Sequence, residues 1–237
     1  MGNPSRFTSG VATSYQGETL AYFPFPDPFH TGSTQTLGSS VYQNDFNTLI
    51  GTDYTVTGTS STFALSNSVV GGAGVLTPGG TTTATAAYKN GTFLQFQAGN
   101  QFWYSVRYQT SAVAGSVLYY VGLRNGSSAT DGLWFAKAAS STSINLVSVV
   151  GSTSTTLLTG VATAAAATWV DLGLYFDGTD ILVYANNVIA GRVAAPTIGS
   201  SSTTLTNALL SPVFQITPTA TDTLTTDFVL AAQEVLR

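Results

Sequence analysis

The chain has 237 residues with 7 Lys and Arg against 11 Asp and Glu, so 8% of it is charged, where a typical soluble domain has about 25%. Seven scattered cations cannot build the basic stripe that nucleic acid requires, and two glutamates are too few for the exposed faces of a helical bundle. Aromatic residues at 11% exclude a disordered polyampholyte, which leaves a β protein with a Thr/Ser/Gly surface.

Residues 1–40 form a first unit, read as an extended arm. It carries Pro4, Pro24, Pro26, Pro28 and the single histidine, His30. In the run Tyr22 to His30, proline alternates with aromatics. Proline removes a backbone donor and biases the residue before it to extended geometry. Tyr22, Phe23, Phe25 and Phe29 are therefore expected to dock on a surface, either of this chain or of a partner. The start, Met1 to Arg6, lacks the basic and apolar regions of a signal peptide. No apolar run is long enough to span a membrane as a helix.

Residues 41–237 read as one β-sandwich domain. Gln101 to Gln109 alternates, with Phe102, Tyr104, Val106 and Tyr108 on one face and Trp103 on the other. Ser116 to Leu123, Gly132 to Ala138 and Ser143 to Val150 are short strands, with a weaker one around Leu157-Leu158. Trp169 to Phe176 places Val170, Leu172, Leu174 and Phe176 inward. Asp177-Gly178 turns the chain into Asp180 to Ala185, and Asn186-Asn187 turns it again into Val188 to Val193. The last strand is Thr223 to Gln233. Ala162 to Ala167 reads as a loop or a single turn, and Leu205 to Leu210 fits one turn of helix. The Ser/Thr/Gly tracts at 58–62, 79–85, 152–156 and 199–204 read as loops or solvent-facing strand ends. This spacing of strands and turns predicts an all-β jelly-roll or sandwich.

The stretch from Trp169 to Val188 resembles the strand–turn–strand–turn core of laminin-G and concanavalin A-like jelly rolls. That resemblance implies a first strand near Asn44-Asp45-Phe46 paired with a last one near Asp227 to Leu230.

A second resemblance runs along the whole chain. Gly2 to Val11, Phe25-Pro26-Asp27-Pro28, Asn44-Asp45-Phe46, Leu205 to Pro212 and Asp227 to Ala232 resemble segments of structural proteins of tailed bacteriophages. It implies a non-enzymatic virion protein that decorates the capsid and folds in the host cytoplasm before assembly. Its partners would be the major capsid protein or neighbouring virion subunits. Symmetric oligomers are the usual arrangement, so a homo-oligomer attached through the arm is expected, with a trimer suited to three-fold lattice positions.

The chemistry-bearing residues are few. Glycosidases of this fold class need two carboxylates flanking the sugar bond. Here Glu18 lies in the arm, Glu234 lies near the C-terminus, and no strand carries two acids at the required spacing. Asp171, Asp177 and Asp180 read as turn formers and solvating charge. His30 sits outside any rigid frame, which excludes a Ser-His-Asp triad. With no cysteine and one histidine, a zinc site is excluded by count. Calcium would have Asp131, Asp177 or Asp180 available, but no Asp-x-Asp loop is present. No cofactor or metal is expected.

An alternative function is carbohydrate binding, which uses aromatic platforms beside amide and carboxylate hydrogen-bonding groups. The candidates are Trp103, Trp134 and Trp169, with Tyr119, Tyr120 and Tyr175 beside them.

Overall fold

The computed structural model describes residues 14–15, 18–19, 37–46, 52–66, 69, 72–80, 84–113, 117–219 and 222–236. Tyr22, Phe23, Phe25, Phe29 and His30 lie outside the described residues. Every regular element among the described residues is a β-strand.

In chain order the strands are β1 (Ser14–Tyr15), β2 (Glu18–Thr19), β3 (Leu37–Asn44), β4 (Tyr54–Thr57), β5 (Thr62–Ser66), β6 (Ala73–Thr77) and β7 (Thr85–Lys89). Then come β8 (Phe102–Thr110), β9 (Leu118–Arg124), β10 (Gly132–Lys137), β11 (Ser143–Val150), β12 (Thr153–Thr163) and β13 (Val170–Phe176). The chain closes with β14 (Ile181–Ala185), β15 (Val188–Val193), β16 (Ile198–Gly199), β17 (Leu205–Thr206), β18 (Ser211–Thr217) and β19 (Leu224–Leu236).

Two antiparallel sheets face each other. One has seven strands in the order β12-β11-β10-β9-β18-β7-β4. The other has eight, in the order β15-β14-β13-β8-β19-β6-β5, with β3 also pairing with β19. Asn44 pairs with Val229, the first-to-last pairing expected from the sequence. The strand containing it begins at Leu37, so residues 37–40, read as the end of the arm, are part of the sheet.

The period-2 pattern decides which side chains enter the core. On β8, Phe102, Tyr104, Val106 and Tyr108 are buried against Tyr119, Val121 and Leu123 of β9. On β13, Val170, Leu172, Leu174 and Phe176 join the same core. At one end, Phe63 and Phe214 stack at 5.9 Å, with Phe46 edge-on to both. Gly74 makes room for this cluster, because a Cβ there would lie 2.5 Å from the Phe63 ring.

The turns follow their residues. The Asp177 carboxylate accepts from Thr179 N at 2.8 Å and Asp180 N at 2.7 Å, closing the β13–β14 hairpin. Asn186 and Asn187 take positive φ at the next one, a region Asn tolerates.

One local expectation is corrected. Leu205 to Leu210 contains no helical turn. Leu205 and Thr206 form β17, which pairs in parallel with β16, and Leu210 bridges Leu94. The hydroxyl-rich 152–156 tract is a solvent-facing strand end, as expected: from Thr153 it opens β12, which runs to Thr163 as the edge of the seven-stranded sheet. An exposed edge strand needs no apolar alternation, so Thr and Ser serve there.

Candidate functional site

The outward face of the seven-stranded sheet holds a groove of about 300 Å³. Its wall includes Tyr120, Asn145, Thr156, Gln215 and Thr217. Register explains why they meet. Gln215 pairs with Tyr120, Tyr120 with Ala136, and Ala136 with Asn145, so all four side chains stand at one level on one face. The small Ala136 leaves the trough between Tyr120 and Asn145. Three interstrand steps span about 14 Å, which is wider than a single hexose ring.

Both amides at the ends of this row are oriented. The Gln215 Oε1 accepts from the Tyr120 hydroxyl at 2.6 Å and from Arg124 Nη1 at 3.2 Å. The Asn145 Oδ1 accepts from Ser143 Oγ at 3.1 Å and from Gly160 N at 2.9 Å. Gly160 sits where the β11–β12 ladder slips register, and its φ of +68° turns the N–H toward Asn145. With both carbonyl oxygens engaged, each NH₂ group is left without a partner among the described residues. Each offers two donors.

The cations nearby are held in place. Arg124 is 4% exposed. Its Nη1 donates to the Tyr120 hydroxyl at 2.9 Å, its Nε donates to Gly126 O, and its guanidinium lies over Tyr88. Lys137 turns inward and donates to Val117 O at 2.6 Å, and burial holds its pKa below the usual lysine value. Burial pushes the Tyr120 hydroxyl up, and the opposing pull of Arg124 does not cancel it. Tyr120 is therefore a neutral hydrogen-bonding group and not a base at ordinary pH. None of the seven strands of this sheet contains an Asp or a Glu.

The three tryptophans are not brought together. Trp134 belongs to this sheet but lies flat on it, 7% exposed and stacked on Tyr120 at 4.7 Å. Gly132 permits this, because a Cβ there would lie 2.4 Å from the Trp134 ring, and a Cβ at Gly122 would meet Trp134 Cβ at 2.5 Å. Trp103 and Trp169 belong to the other sheet's side of the molecule. Trp103 points outward, as its parity required, but it is 1% exposed and stacks on Tyr175. Trp169 is half-buried beneath the Arg107 guanidinium. Neither Trp103 nor Trp134 has a free ring face of the kind a sugar platform needs.

Tyr119 faces the core, while Tyr120 is in the groove. Asn145 and Gln215 were not singled out by the sequence. Their signal is only that each is an outward polar residue on an otherwise regular strand. Of the acids considered for calcium, Asp177 closes a turn and Asp180 pairs with Arg192. Asp131 accepts from Gly151 N and Thr206 Oγ1. No cluster of metal-ligating side chains occurs among the described residues.

No protein-family model matches the chain, and no curated protein is similar in sequence. Solved structures are similar in shape. A Shewanella oneidensis protein of unknown function superposes with a TM-score of 0.60 at 13% identity, covering 86% of this chain and 90% of its own. A native glycosidic hydrolase superposes at 0.57 and 11% identity, covering 81% and 95%. The exoplasmic/lumenal domain of VIP36, in a form with Ca²⁺ and Man3GlcNAc bound, superposes at 0.52 and 10% identity, covering 78% and 84%. At these identities the likeness concerns architecture. The chain is an all-β sandwich with the jelly-roll fold of concanavalin A-like lectins and glucanases.

Proposed function

We propose that this protein is a non-enzymatic carbohydrate-binding β-sandwich that takes a neutral oligosaccharide along the groove of its seven-stranded sheet. The observation that carries this reading is the row Gln215–Tyr120–Ala136–Asn145. It offers two oriented NH₂ donors across a trough, on a sheet whose strands hold no carboxylate. A retaining or inverting glycosidase needs a pair of carboxyl groups at the scissile bond, and this face supplies neither. Tyr120 is held protonated, which removes the remaining candidate for a base. The cations are engaged internally, which favours a neutral ligand over an anionic one.

A glycan array that includes neutral and anionic oligosaccharides tests the reading. Binding confined to neutral glycans, and lost in Asn145→Ala and Gln215→Ala, is expected. An absence of binding, or binding indifferent to both substitutions, refutes it.

The capsid-decoration reading, with its virion location, rests on the N-terminal arm, the missing catalytic groups, the near-chargeless Thr/Ser surface and the phage-like segments of the sequence, and the trimer rests on the three-fold positions of a capsid lattice. The two readings are compatible, since a virion surface protein can present a glycan-binding face. Mass spectrometry of purified particles addresses that second reading, and absence from intact particles would remove it.

A further inference from the structure

Polar and apolar groups are sorted by place in the groove of the seven-stranded sheet. Its two amides face the ligand as donors. The Gly160 N–H and Arg124 Nη1 can only donate, so the oxygen of Asn145 must face the first and the oxygen of Gln215 the second. The Tyr120 hydroxyl between them is spent, because it donates to Gln215 Oε1 and accepts from Arg124 Nη1. Lys137 Nζ is committed to Val117 O and Ala138 O. The side-chain acceptors left on the groove wall are the hydroxyls of Thr156 and Thr217.

The floor is apolar. Period 2 puts Ala136 and Ala138 on the same outward face of β10. Leu118 lies two residues from Tyr120 on β9, and Val147 two residues from Asn145 on β11. All four line the groove, and Leu118 is 38% exposed. The result is a small hollow at Ala136 with methyl-bearing side chains around it and an NH₂ donor at each end of the row.

Building on the carbohydrate reading, we propose that the groove selects glycans containing N-acetylated hexosamine, with an acetamido group seated over Ala136. Its methyl covers Ala136, Ala138 and Val147, and its carbonyl oxygen accepts from the Asn145 NH₂ group. An acetamido carbonyl only accepts, which suits a wall whose free amides only donate. A plain sugar hydroxyl fits worse. If it accepts from Asn145, its own proton still needs an acceptor, and the apolar floor supplies none. The acetamido N–H is left to the exposed Thr156 hydroxyl at the rim. Gln215 stands three interstrand steps from Asn145, about 14 Å, so its NH₂ group serves an acceptor on another sugar unit.

The test uses matched pairs of neutral oligosaccharides, equal in length and linkage, one built of N-acetylhexosamine and one of the parent hexose. Gluco and galacto pairs with β-1,3 and β-1,4 linkages are arrayed, and the best-binding pair is titrated by calorimetry. The acetylated member should bind about tenfold tighter or more. Asn145→Asp keeps the shape and the bonds from Gly160 N and Ser143 Oγ but replaces the NH₂ group with an oxygen. It should bring the affinity ratio within the pair close to one, whereas a merely structural role would weaken both members equally and leave the ratio unchanged. Ala136→Val fills the hollow without touching either amide, and it too should lower the ratio. A hexose member that binds as tightly as its acetylated partner, or a ratio that survives both substitutions, would overturn the acetamido proposal and leave the carbohydrate reading standing. No binding by any member of any pair would overturn both.

Discussion

Tyr120 and Gln215 stand opposite one another on β9 and β18, joined by a 2.6 Å hydrogen bond from the phenolic hydroxyl to Oε1. This bond, with the one from Arg124 Nη1 to the same oxygen, fixes which end of the Gln215 amide faces the groove. Tyr120→Phe removes one of the two donors that hold the amide. A neutral hydrogen bond is worth about 0.5–1.5 kcal/mol net, so glycan affinity should fall by about threefold to tenfold while the fold persists. Titration calorimetry with a bound neutral glycan reads this directly. An unchanged Kd would mean that the amide is oriented by something else.

Binding should be flat with pH between about pH 5 and 8. The Tyr120 hydroxyl is raised by burial and stays protonated throughout. The Lys137 ammonium is lowered but spends its protons on Val117 O and Ala138 O, away from the ligand. The row itself has no carboxylate. A bell-shaped affinity profile would point to an ionising group that this groove does not hold.

Gly122→Val should destabilise the domain. Its Cβ would fall 2.5 Å from both the Leu133 carbonyl oxygen and the Trp134 Cα, so the backbone of β10 has to shift. Overpacking of this kind costs about 1–3 kcal/mol. Urea denaturation should show a lower midpoint, and loss of the Tyr120–Trp134 stack should weaken glycan binding as well.

Tyr104→Phe should stabilise the protein. The Tyr104 hydroxyl is fully buried in the core without a hydrogen-bond partner, and desolvation pushes its pKa far up. Removing an unpaired buried hydroxyl relieves about 1 kcal/mol or more, with the ring and its packing kept. A thermal midpoint that falls would show that the hydroxyl has a partner.

Asp180 makes stability depend on acid. Its carboxylate accepts from Ala195 N and pairs with Arg192, and both interactions hold its pKa below the usual aspartate value. A carboxylate depressed in the folded state stabilises above its unfolded pKa, and that contribution is lost as pH falls through the folded value. Asp180→Asn should therefore lower the thermal midpoint at neutral pH. The gap to the parent should narrow as pH falls through the acidic range. A gap independent of pH would contradict the assignment.

Much of the fold was legible because alternation and turns are local signals. Phe102, Tyr104, Val106 and Tyr108 face inward as their period predicts, and so do Val170, Leu172, Leu174 and Phe176. Asp177-Gly178 and the two asparagines turn the chain where expected, and Asn44 meets Val229.

The rest depended on partners distant in sequence. β17 exists because Ile198 lies beside Leu205, which no local pattern reveals. β12 runs from Thr153 to Thr163, further than the weaker strand read around Leu157-Leu158, because β11 offers it an edge.

Parity also has a limit: it states a side chain's face and not its cover. That is why Trp103 could be placed outward yet is buried, stacked on Tyr175, while Trp134 is buried with its ring over Gly132. The groove escaped notice for the same reason. Asn145 and Gln215 acquire meaning only when three ladder steps bring them to the level of Tyr120.

The most direct test of the central claim is a calorimetric titration of a neutral oligosaccharide into the parent chain and into the Asn145→Ala/Gln215→Ala double variant. Release of reducing ends is measured in the same samples. The account predicts saturable binding by the parent, a loss of at least tenfold in affinity for the double variant, and no sugar released by either. Equal affinities in the two chains, or reducing ends released by the parent, would contradict it.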